Sequence, residues 1–457
     1  MDKDRTGLFE SCPVPRAVAK LAIPTVMGTL VMILYNIADT WFVGMLGDPV
    51  ESAAVSLAAP ALLAFNAVNN LFGVGGSSMI SRCLGRKDEE NAKRCAAFSF
   101  YLALFSAALI SVMCLLFRGG LLRLLGADEI TKEATSDYLF WTVILGAIPA
   151  ILNVVLSNLV RSEGLAMHAS IGVMSGCILN VILDPIFIMP WGFGMNAAGA
   201  GCATFISNSC ACLYFFVLLA VRRGKTYVSL DPRKFGFYKE IIVGVFTVGI
   251  PASIQNLLNV TGMTVLNNFT AGYGTAAVAA MGITHKVNLV PIYFTMGLGQ
   301  GMIPLVGYNY ASGNTKRMRE SVTYTLKITV IFITVATLLF YIFSGGIIGL
   351  FMKNAEIVAH GTRLLRGFCL GLPFLAVDFF AVAVFQSVGM GRESLIFAIL
   401  RKIVLEIPAI ILLNKLWPLY GIAYSQLAAE FVLCIAAVFV LKRLFSRLGD
   451  GEVPEKK

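Results

Sequence analysis

ILYNIADTWFVGMLG, residues 33 to 47, places one acid, Asp39, inside an otherwise apolar run. The run extends back to about residue 17, which makes it longer than the roughly 20 apolar residues that cross a bilayer. Similar runs recur along the whole chain. Of its 457 residues 57% are hydrophobic and only 14% charged, and the mean hydropathy is +0.79. A soluble domain carries roughly 25% charged residues. The chain therefore reads as an all-α, polytopic membrane protein, and Asp39 becomes a question about what a carboxylate does away from water.

Twelve spans are predicted, at about 17–46, 53–81, 96–117, 138–160, 168–189, 196–221, 241–271, 276–310, 321–343, 362–388, 394–415 and 421–441. Residues 1–16, MDKDRTGLFESCPVPR, are polar and mixed in charge, so no removable signal peptide is expected and the first helix serves as the insertion signal. The formal net charge is +10, but the basic residues gather in one alternate set of loops, such as GRKDEENAKR and RRGKTYVSLDPRK. The opposite set, including GDPVES, PWGFGMN and AGYGT, has almost none. This asymmetry predicts both termini in the cytoplasm. The charge is an orientation signal and no nucleic-acid partner is expected. The 10 cysteines are scattered, without a CxxC or a Cys/His cluster, and read as packing residues with neither a disulfide framework nor a zinc site.

The second half repeats the first. LAIPTVMG at 21–28 matches VGIPASIQ at 248–255, and FGVGGSSMI at 72–80 matches MGLGQGMIP at 296–304. VILDPI at 181–186 likewise matches IVLEIP at 403–408. A six-helix repeat keeps its orientation, so the halves are related by a pseudo-two-fold along the membrane normal. The expected division is an N-terminal lobe 1–221, a cytoplasmic linker 222–240, and a C-terminal lobe 241–457 ending in a short cytoplasmic tail. Parallel repeats of this kind are a transporter architecture.

IADTWFVGMLG, GVGGSSMISRCLGRKD and NLVRSEG, in this order on twelve spans in two lobes, together resemble the multidrug and toxic compound extrusion (MATE) transporters, in their prokaryotic DinF-like or MepA-like branch. The resemblance covers nearly the whole chain. It implies a V-shaped helical bundle in the inner or plasma membrane, monomeric and without a cofactor. It also implies export of small cationic or amphipathic molecules by alternating access, in exchange for protons or sodium. Family positions matching Asp39, Asn180, Asp184 and Thr204 are associated with a cation or proton site in the N-terminal lobe.

Depth along the helices is consistent with such a site. At 1.5 Å per residue, Asp39, Asp184 and Thr204 fall about 10, 9 and 12 Å from the outer ends of their spans. Asn180 lies one turn from Asp184 and shares its face. Lysine and arginine are absent from the middle of the first six spans. Two carboxylates in a low-dielectric medium then need either a proton or a bound cation. Asn180 and Thr204 add the neutral oxygens sodium accepts, although simple interhelical hydrogen bonds are the alternative for both. Asn153, midway along the fourth span, is a further candidate.

The second lobe differs. Lys286, Glu406 and Glu430 all fall about 13 to 15 Å from the outer surface, which predicts an internal ion pair with Lys286 as counter-ion. Asp378, about 24 Å deep, reads as an unpaired acid that either attracts a cationic substrate or hydrogen-bonds locally. The seventh span offers Gln255, Asn256 and Asn259 in IQNLLNV, with no carboxylate. His285 is either a proton shuttle or a wall residue, and His168 and His360, at span ends, are expected to be solvated. GVGGSS lacks the Lys-Ser/Thr of a phosphate loop and reads as close helix packing. No catalytic constellation appears, so no enzyme is predicted. The alternative function is a lipid-linked oligosaccharide flippase, which the scarcity of mid-span basic residues disfavours.

Overall fold

A computed structural model describes residues 3–449; the expected tail beyond them lies outside the described residues. In an apolar medium every backbone polar group needs an internal partner, and helices supply it within one segment. Helices accordingly occupy each predicted span. We label them α1 (Val14–Met45), α2 (Pro49–Gly85), α3 (Glu89–Leu116), α4 (Lys132–Leu145 with Ala147–Ser162), α5 (Ala166–Ile188) and α6 (Asn196–Val221). The second half follows with α7 (Lys239–Ala271), α8 (Thr275–Ala311), α9 (Thr315–Phe351) and α10 (Ala355–Val388). Next comes α11, built from Gly391–Ile399, a π-helical stretch Leu400–Glu406 and Ile407–Leu416. The last is α12 (Tyr420–Gly449).

Among the described residues, nine helices are long and apolar enough to cross a membrane, and the two parts of α4, bent by 48°, make a tenth. The remaining two of the twelve expected passes, α11 and α12, are of similar length but carry Arg401, Lys402, Glu406 and Glu430. The chain is a multi-pass membrane protein.

Two units emerge, and their borders differ from those expected from the repeat. The first comprises Met27–Ser253 with the short helix Lys3–Glu10; the second comprises Cys12–Val26 and the residues from Ile254 onward. Both α1 and α7 thus change unit along their length, each two residues after its internal proline, Pro24 or Pro251.

Backbone contact explains the first border. Within the first unit a side chain on Gly75 of α2 would run into the Val245 carbonyl of α7, and one on Gly249 into the Leu71 carbonyl. The small residues of GVGGSS therefore let α2 and the first part of α7 touch. Residues 222–240 are likewise tied to this unit. The buried Glu163 carboxylate accepts from the Thr226 hydroxyl and the Tyr227 amide, each at 2.8 Å. Lys234 reaches Glu90 at 2.8 Å, and the Tyr101 hydroxyl donates to the Leu230 carbonyl at 2.8 Å.

The second unit repeats the device. A Cβ on Gly301 of α8 would sit 2.9 Å from the Ala22 Cα and 3.0 Å from the Leu21 carbonyl oxygen of α1. The core of this unit lies between α8, α10 and α12, where Ala280, Met281, Leu364, Ile422 and Ala423 pack together.

Because backbone cannot retreat as a side chain can, Gly75→Val is expected to destabilise the protein by about 1–3 kcal/mol or more. Gly346→Val, at a position where an added Cβ meets nothing within 4 Å, is the control. Thermal unfolding in detergent should show a lowered midpoint for the first variant only. Equal midpoints would refute the contact.

Candidate functional site

The first unit gathers its polar groups from four helices. Tyr35 and Asp39 stand one turn apart on α1, Tyr138 lies on α4 just before its bend, Asn180 and Asp184 share a face of α5, and Thr204 comes from α6. Asp184 is 0% exposed, Asn180 2% and Tyr138 5%, so bulk water does not solvate the acid. With the Asn180 amide turned so that its nitrogen faces the carboxylate, Nδ2 donates to the two Asp184 oxygens at 2.9 and 3.2 Å. The Asn180 oxygen then accepts from the Thr204 hydroxyl at 3.2 Å and the Thr204 amide at 3.1 Å. The Tyr35 side chain lies beside Thr204.

Asp39 completes the group from the α1 side. Its charge and that of Asp184 repel each other, and both carboxylates lie within electrostatic reach of Tyr35 and Tyr138. Asp39 Oδ1 is sequestered, with no hydrogen-bond partner among the described residues. Neither acid is paired with a lysine or arginine there. The structure thus brings Asn180, Asp184 and Thr204 into one network and Asp39 within range of it. Asn153 stands apart: its Nδ2 donates to Asn208 Oδ1 at 3.2 Å. Tyr35 and Tyr138 were not among the sequence candidates. Tyr35 was readable, because it sits four residues before Asp39 in the opening stretch; Tyr138 had no comparable signal.

The second unit corrects the expected pairing. Lys286 is exposed, and the counter-ions come from α11 itself. Lys402 Nζ meets the Glu406 carboxylate at 2.6 and 2.8 Å. The Arg401 guanidinium, 1% exposed, pairs with Asp378 of α10 and with Glu430 of α12, the latter at 3.3 Å, and lies 4.2 Å over the Phe379 ring. Asp378 is therefore not an unpaired acid. Depth along a helix placed Lys286 at the right level but gave no information on its direction around the axis. The π-helical stretch 400–406 adds a local widening that straight-helix spacing does not anticipate.

His285 lies within electrostatic reach of Lys402 and Glu406. Gln255 accepts from Gln386 Nε2 at 3.3 Å. His168 and His360 are not simply solvated: they bond the Tyr214 and Tyr420 hydroxyls at 3.0 and 2.8 Å.

Comparison with known proteins places this geometry. The MatE family model matches the chain twice, over residues 24–186 and 251–412, so the matches begin 227 residues apart, the same offset as LAIPTVMG and VGIPASIQ. A Multidrug export protein MepA of Staphylococcus aureus is 34% identical over 450 residues, covering 98% of each chain. Its counterpart in Staphylococcus saprophyticus is 33% identical over 449 residues, again covering 98% of each. Among solved structures, the outward-facing conformation of a multidrug resistance MATE family transporter of the MOP superfamily superimposes with a TM-score of 0.91. It is 28% identical, and the match covers 98% of this chain and 99% of that one. These likenesses do not favour the flippase alternative. The chain belongs to the MatE family, the multidrug and toxic compound extrusion transporters.

Proposed function

We propose that the chain is a proton-coupled antiporter, monomeric in the plasma membrane with both termini inside, which exports cationic or amphipathic small molecules. No covalent chemistry and no cofactor enter this reading. The observation that carries it is the close pair of a buried Asp184 and a half-buried Asp39, one of whose oxygens is sequestered, without a cation of the described residues beside them. Two such charges are too costly together in a low-dielectric site, so at least one is neutralised from outside.

A proton suits the donor set better than sodium does. Hard cations need several oxygen ligands. Here Asn180 and Thr204 are hydrogen-bonded to each other at 3.2 Å, whichever way the amide is turned. Both neutral groups expected for sodium are thus already engaged with each other. Protonated Asp39, by contrast, gains a hydroxyl donor where its ionised form leaves a buried oxygen unsatisfied. Coupling then requires that the proton bind one conformation better than the other, since equal affinity for both would shift nothing. Tyr35 and Tyr138 would set the shape and polarity of the surroundings.

The charged cluster of the second unit is read as structural. Removing one partner of a buried ion pair leaves an uncompensated charge, so Lys402, Arg401, Asp378, Glu406 and Glu430 hold α10, α11 and α12 together.

Two experiments test these roles. In sealed vesicles free of sodium, an acidic exterior should drive efflux of a cationic dye by the wild type. Asp39→Asn and Asp184→Asn should each lose the gradient-driven component, with a fall of at least about tenfold and unchanged expression. Efflux that requires sodium and ignores the pH gradient would overturn proton coupling. Separately, Lys402→Met should lower stability by about 3–5 kcal/mol, and adding Glu406→Gln should recover most of it, whereas Lys286→Met should leave the thermal midpoint unchanged. A loss on Lys286→Met equal to that on Lys402→Met would restore the pairing that the sequence suggested.

A further inference from the structure

We infer that the second unit binds an anionic phospholipid at its basic end, in a cavity of about 650 Å³ between the start of α1, the start of α9 and the end of α12. Three cations of α9 line it: Lys316, Arg319 and Lys327. Their spacing of three and eleven residues puts them on one face of the helix. All three are exposed, and among the described residues none is engaged in an ion pair. One acid, Glu320, shares the lining, so the face keeps an excess of positive charge.

The opposite wall is apolar. Val14 and Pro15 of α1 and Phe445 and Leu448 of α12 close the cavity, and the Arg319 guanidinium lies 5.7 Å over the Phe445 ring. A small inorganic anion would leave that wall bare. A ligand with a phosphate at one end and hydrocarbon at the other covers both.

Position selects the source of that ligand. Lys327 is the last charge before the apolar run of α9, residues 328 to 351, whose length of about 36 Å matches a bilayer core with slight tilt. Lys327 therefore stands at the boundary where lipid phosphates lie, with Arg319 and Lys316 above it on the polar side. Basic residues in this zone attract anionic lipid by about fivefold per charge. The site is independent of the coupling ion, because none of its groups belongs to the Asp39–Asp184 network.

Native mass spectrometry of the full chain, extracted from vesicles of equimolar phosphatidylcholine and phosphatidylglycerol, tests the assignment. The wild type should retain one phosphatidylglycerol in preference to phosphatidylcholine. The triple variant Lys316→Gln/Arg319→Gln/Lys327→Gln should lose that preference by about 100-fold. Lys316→Arg with Lys327→Arg should keep it. Should the triple variant not fold, Lys327→Gln alone, which removes only the charge at the boundary, should still weaken retention. Equal retention of both lipids, or an unchanged preference in the substituted proteins, would overturn the inference. So would displacement of the bound lipid by inorganic phosphate, which would mark a site for free anions.

Discussion

Two neighbouring carboxylates, one buried and one half-buried, without a basic side chain of the described residues between them, govern the rest of this structure. In water their repulsion would be trivial. Inside a helical bundle it is large, because the medium screens little and each ion has lost its hydration. Asn180, with its amide turned toward Asp184, can donate to it, but one amide cannot neutralise a charge, and Asp39 keeps an oxygen with nothing to accept. The pair is consequently unable to rest in its fully ionised form. On the proposed reading, its dependence on something taken from the medium links a local electrostatic problem to the state of the whole molecule.

The second unit shows what the alternative looks like. There the buried acids have cations of the chain's own: Arg401 lies between Asp378 and Glu430, and Lys402 one turn before Glu406. Burying such pairs is costly, and their gain over apolar packing is small. Breaking them is what destabilises. They act as fasteners among α10, α11 and α12, where close contacts such as Gly367 against Ala423 leave little room for rearrangement. Two halves of similar sequence thus differ electrostatically, one leaving its acids without basic partners among the described residues and the other pairing them.

Much of this was legible in the sequence, and the reasons differ by feature. The spans were readable because the bilayer imposes length and polarity together: the predicted 196–221 and the observed Asn196–Val221 coincide. The Asn180–Asp184 relation was readable because four residues make one helical turn. Direction around a helix axis was not readable from depth, and so Lys286 was assigned a role that Lys402 fills. The π-helical turn that carries Arg401 and Lys402 has no period of its own in the sequence. Nor did the repeat reveal the unit borders, since homologous halves need not be the packed ones: contact of Gly75 with Val245 outweighs the order of the chain.

That mismatch between repeat and unit carries a consequence for how such a chain could be built at all. The first 238 residues alone would lack the start of α7, around which the glycines of α2 close, and the remaining portion alone would lack the Leu21–Ala22 strip against Gly301. Each repeat supplies a piece that its sibling's core is shaped to receive. A single copy of the repeat on its own would lack the helical arm that its core is shaped to receive, so joining two copies in one polypeptide lets each complete the other.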